Sequence, residues 1–109
     1  MSRRVLGRLA VGVGLLFAAA PAFAHHSVAA KFDDSKSVTL RGYVSKIDWL
    51  NPHAHVYIDV REGNAVTVWA IELESPVDLR KGGWTRDSLK IGDGLTVRAS
   101  SARDGSHQG

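Results

Sequence analysis

The chain has 109 residues, with fourteen Lys and Arg, eleven Asp and Glu, five His and no Cys. Without cysteine there is no disulfide, no thiolate metal ligand and no lipoprotein attachment site. Three of the basic residues, Arg3, Arg4 and Arg8, lie before residue 25, so the other 85 residues carry eleven charges of each sign and present no net basic surface to nucleic acid or an anionic membrane.

Residues 1–24 read as an export signal. The three arginines form a positive n-region, Leu9–Ala20 a short apolar core, and Ala22-Phe23-Ala24 an Ala-x-Ala cleavage site. Ser2-Arg3-Arg4-Val5-Leu6 fits either an ordinary n-region or a twin-arginine signal. The apolar core falls well short of the roughly 20 residues a bilayer span needs. The expectation is a periplasmic or secreted protein with no membrane insertion after cleavage.

Cleavage after Ala24 leaves His25 and His26 as the first mature residues. Residues 25–37 follow as a polar lead-in, and a β domain is expected over 38–100. Val38-Thr39-Leu40-Arg41 alternates as a half-buried strand does. After Gly42 the alternation restarts out of phase, with Tyr43, Ile47 and Trp49 on one side and Val44, Lys46 and Asp48 on the other. A glycine at a phase change suggests a bulge. Asn51-Pro52 ends the strand, since proline cannot donate to a ladder.

The next segment alternates most regularly. Ala54, Val56, Ile58 and Val60 face one way, and His53, His55, Tyr57 and Asp59 the other. Arg61–Asn64 reads as a hairpin turn into Ala65–Leu73, where Thr67, Trp69, Ile71 and Leu73 share a face. Ser75-Pro76 is a helix start, with Ser as N-cap and Pro at the first helical position, and Gly82-Gly83 ends the helix. Trp84 is expected to plug the core beneath it. Leu95–Ala99 makes a fourth strand, and residues 101–109 read as a disordered or truncated tail holding His107. Four strands with one short helix after the third point to a small OB-like, partly open barrel of four to five strands.

Four of the five histidines fall in two tight pairs. His53 and His55 share a strand face, about 6.5–7 Å apart along the backbone, close enough for two rings to converge on one ion. Tyr57 and Asp59 continue that face as supporting groups or a carboxylate ligand. His25 at a mature N-terminus would offer both its α-amine and its ring, and His26 a further ring. With nitrogen ligands and no thiolate, copper or zinc is the preferred ion. Polar residues on an exposed strand and behind a signal would look the same without any metal.

His25-His26-Ser27, Phe32-Asp33, Val38-Thr39-Leu40-x-Gly42, Trp49-x-Asn51-Pro52-His53, Trp69-x-x-Glu72 and Gly83-Trp84-Thr85-x-x-Ser88-Leu89-x-x-Gly92-Asp93 occur in that order. Over residues 25–105 the chain resembles the small exported bacterial proteins of domain of unknown function 6152. The resemblance implies a soluble periplasmic protein; members of that family continue after the Arg103–Ser106 region into another strand, which this chain is expected to lack, at a cost in stability. It implies no activity, substrate or cofactor.

Three function classes follow. The first is a periplasmic binding or accessory protein with a copper or zinc site at His25, His26, His53 and His55. The second is a non-metal ligand- or protein-binding module, using the tryptophans or an open sheet edge, which would also permit self-association. The third is a copper-dependent oxidoreductase built on an N-terminal histidine brace. No Ser/His/Asp or Cys/His arrangement, phosphate loop or His-Glu-x-x-His motif is present, so no catalytic residue is assigned.

Overall fold

Residues 28–109 are described by a computed structural model; residues 1–27, among them the expected export signal, His25 and His26, lie outside the described residues. Val28–Lys31 forms one helical turn and falls in a separate unit from Phe32–Gly109, which holds the β fold. That fold contains β1 (Phe32–Asp48), β2 (His55–Glu62), β3 (Ala65–Glu72), α1 (Pro76–Lys81) and β4 (Gly94–Ala102). The strands form one antiparallel sheet in the order β3-β2-β1-β4. No helix among the described residues is long and apolar enough to cross a membrane. The architecture is the OB-like, partly open barrel expected from the strand pattern.

Period-two alternation explains how the sheet curls around a core. Ala54, Val56, Ile58 and Val60 of the β2 segment are all buried, as are Leu40 and Val44 of β1 and Ile71 of β3. Ile58 and Val44, at 0% and 2% exposure, are the largest fully buried side chains. Trp69, Leu73, Leu89, Leu95 and Val97 pack against this cluster. Trp84 does not plug the core; it is 44% exposed, because the Gly82-Gly83 turn carries it past the end of the helix.

β1 is long because it serves two partners. Phe32–Tyr43 pairs with β4, and Tyr43–Asp48 with β2. The strand begins at Phe32, which is buried, rather than at Val38. Its early part escapes the alternation because the register with β4 slips between Asp33 and Ser37. The Asp33 carboxylate accepts from both the Ser35 hydroxyl and the Ser35 N–H there. Those two bonds, the hydroxyl's first, hold the Asp33 carboxyl below its usual range.

The phase change falls three residues later than the glycine suggests. Leu40 and Val44 both point inward, with Gly42 in phase between them, and Tyr43 points out at 66% exposure. The register with β2 slips between Val44 and Lys46. Ser45 is therefore the bulged residue, and it returns Ile47 to the core side. Gly42 has another role: a Cβ there would stand 2.3 Å from the Asp59 carbonyl oxygen. The glycine lets the β1 and β2 backbones approach.

Gly63 (φ 60°) takes the first central position of the two-residue β2–β3 turn, where primed hairpin turns need a positive φ. At α1 the Ser75 side chain accepts from the Asp78 N–H and Pro76 opens the helix. Ser75→Ala should cost about 1 kcal/mol. Urea unfolding monitored by circular dichroism would measure this, with an unchanged midpoint counting against a working cap.

The last residues are not a loose tail. Gly105 (φ 75°) turns the chain after β4, and His107–Gly109 runs beside the outer edge of β3. The Ala70 N–H donates to the His107 carbonyl, the Glu72 N–H to the Gly109 carbonyl, and the Gly109 N–H to the Ala70 carbonyl. The pairing is parallel. The His107 ring lies 5.0 Å from that of Trp69.

Candidate functional site

The β2–β3 hairpin sets the histidine site. Its two-residue turn pairs His55 with Glu72 across the strands. Pairing continues past the strand ends, where the Ala54 N–H donates to the Glu74 carbonyl and the Leu73 N–H to the Ala54 carbonyl. His53 is thereby fixed beside the end of β3. Its Nδ1 lies 2.8 Å from the Leu73 carbonyl oxygen and 3.8 Å from Oε1 of Glu72. A carbonyl can only accept, so Nδ1 carries the proton and Nε2 keeps the lone pair in the neutral ring. A backbone carbonyl or carboxylate on the second ring nitrogen is the arrangement found behind metal-ligating histidines.

The other residues of that face divide. The His55 and Tyr57 rings are 6.5 Å apart, and Lys46 Nζ sits 5.0 Å from the centre of the Tyr57 ring. Asp59 is not part of the cluster. Four residues along the strand put it about 13 Å beyond His55, and its register partner is Tyr43. Glu72 was missed as a partner of the histidines, although the hairpin turn alone sets its register: two residues at Gly63-Asn64 pair position 62 with 65 and hence 55 with 72. Among the described residues no three His, Cys, Asp or Glu side chains stand close enough to hold one ion. His25 and His26, the other half of the expected ligand set, lie outside the described residues.

Two concavities among the described residues bear on the site. A cleft of about 400 Å³ opens between β3 and β4 beneath α1, lined by Ile71, Leu73, Leu79, Trp84, Leu89 and Leu95 among others. A wider groove of about 820 Å³ crosses the outward face at the other end of the hairpin and includes Arg41, Tyr43, Asp59 and Arg61. Trp69 and Trp84 do not share a platform. Trp69 belongs to the core side of β3, and Trp84 lines the cleft.

Residues 13–109 match the model of a protein family described only as a family of unknown function, DUF6152. That match covers most of the chain, and the chain belongs to this family. No curated protein and no solved structure matches it.

Proposed function

We propose that this member of the family is a small exported binding or accessory protein that holds copper or zinc through histidines. The observation that carries the reading is the bond from His53 Nδ1 to the Leu73 carbonyl, which leaves Nε2 as the donor on a ring about one-third exposed. Glu72 behind the same ring would strengthen the donor as the ring becomes partly cationic on coordination. His55 is the neighbouring imidazole on the same face. The described residues supply only this half of a ligand set, and the sequence offers His25 and His26 as further imidazoles.

The test is a calorimetric titration of Zn(II), then Cu(II), into the chain beginning at His25. One site is expected, weakened about tenfold or more by His53→Ala and again by His25→Ala. Lowering the pH from neutrality to about 5 should release the ion, because imidazole must be neutral to coordinate. If His25→Ala abolishes binding while His53→Ala and His55→Ala leave it unchanged, the ion is held by the terminus alone and the two-part site is wrong.

A second reading, a non-metal ligand- or protein-binding module, is favoured by the apolar cleft between β3 and β4. It takes over if no histidine variant alters the titration.

A further inference from the structure

The groove on the outward face carries a feature that the histidine site does not use. Continuing the register Val44↔Ile58 and Tyr43↔Asp59 sets Arg41 opposite Arg61, and both line the groove. Like charges directly opposite on one sheet face repel. Lys46, Lys81 and Arg103 each have a carboxylate partner, whereas Lys36, Arg80, Arg86, Lys90 and Arg98, scattered over the surface, have none among the described residues. Among the described residues Arg41 and Arg61 also have none.

The walls narrow the chemistry. Tyr43, well exposed, stands between the arginines and the end of β4, its ring over Gly94. Val66, 55% exposed, supplies an apolar wall from β3. Asp59 is the one acid lining the groove, so two guanidiniums and one carboxylate leave a single net positive charge. A guanidinium fork matches a carboxylate in two parallel N–H bonds. A tyrosine and a valine beside it suit an apolar stem.

We propose that this groove binds a monoanionic carboxylate carried on an apolar stem, gripped by Arg41 and Arg61 with the stem against Tyr43 and Val66. The carboxylate can be that of a free organic acid or of an acidic side chain in a partner peptide. Bound between the two arginines it also removes their repulsion. This site is independent of the histidine reading, because Arg41 and Arg61 do not touch His53, and Asp59 lies about 13 Å along β2 from His55.

The experiment uses the chain from His25 to Gly109 at low ionic strength, followed by ¹H–¹⁵N spectra that include the arginine Nε–H signals. The probes are hexanoate, hexanamide, sulfate, and the capped peptides Leu-Glu-Leu and Leu-Gln-Leu. Saturable shifts at Arg41, Arg61, Gly42 and Gly94 are expected with hexanoate or Leu-Glu-Leu. The neutral analogues should give none. Arg41→Gln and Arg61→Gln should each weaken binding about tenfold, and Arg41→Lys should weaken it too, because the charge remains but the fork is lost. Arg86→Gln, outside the groove, should bind as the parent does. Tighter binding of the peptide points to a protein partner, and tighter binding of hexanoate to a free acid.

A fold check guards the result. Hexanoate should raise the Tm of the parent protein and not that of Arg61→Gln, whose ligand-free Tm should be no lower than the parent's because the repulsion is gone. The proposal fails if neither carboxylate probe saturates by about 50 mM. It also fails if sulfate binds as tightly as hexanoate, or if the glutamine variants bind like the parent.

Discussion

Gly42→Ala should destabilise the protein by about 3 kcal/mol or more, the upper end of what overpacking a filled site costs. The added methyl would stand 2.3 Å from the Asp59 carbonyl oxygen and 2.9 Å from its carbon. Both are backbone atoms of the paired strand, so no side-chain rotation relieves the clash. Only separation of β1 from β2 can, and that loosens Val44 and Ile58, the largest fully buried side chains. For a domain of this size the loss corresponds to a fall in Tm of roughly 15–20 °C. Thermal unfolding followed by circular dichroism gives the answer. A Tm within a few degrees of the parent's would mean that the strands are not held this close.

The same glycine shows what can and cannot be read from the chain. Gly42 stood out in the sequence, and the strand is irregular nearby, but the irregularity belongs to Ser45. A glycine required for close approach and a glycine at a bulge leave the same mark. The difference lies in a neighbour that no local pattern identifies. β2 was legible residue by residue because one face is buried and the other is not, so alternation reports the structure directly. The hairpin turn, the Ser75 cap and Pro76 were legible because their causes are local. The start of β1 was hidden because Asp33–Ser37 is irregular and the alternation is lost where the register slips.

The sites divide in the same way. The spacing of His53 and His55 placed both on the outward side of the hairpin, but no histidine motif contains the Leu73 carbonyl or Glu72. Those partners come from strand pairing and appear only when the register of β2 against β3 is written out. Arg41 and Arg61 are twenty residues apart, and each alone is an ordinary solvated charge. Their opposition follows from the β1–β2 register, and that register depends on where the bulge sits. Reading the bulge at Gly42 would have hidden it.

Removing His107–Gly109 should cost about 2–4 kcal/mol, from three backbone hydrogen bonds at about 1 kcal/mol each and the contact between His107 and Trp69. The three residues are polar and glycine-ended, so nothing in their composition announces a strand. They pair because β3 otherwise presents an open edge, whose N–H and C=O groups seek partners. The site of the loss is specific. Ala70 and Glu72 donate to this segment, so their amide protons should exchange much faster in the shortened chain, while Ile58 in the middle of β2 should change only by the global loss of stability. Trp69 fluorescence should also respond, because the His107 ring is gone from its side. The shortened chain would expose the Ala70–Glu72 edge and should self-associate more readily, which sedimentation at several concentrations would reveal. Unchanged exchange at Ala70 and Glu72 would show that the tail does not close this edge in solution. A large loss of stability without faster exchange there would place the effect elsewhere in the barrel. Because Glu72 also stands behind His53, the same deletion should weaken Zn(II) binding by a few-fold, an effect of a supporting partner rather than of a ligand. The loss of metal affinity should therefore be smaller than that of His53→Ala, and an equal or greater loss would mean that the tail itself supplies a donor.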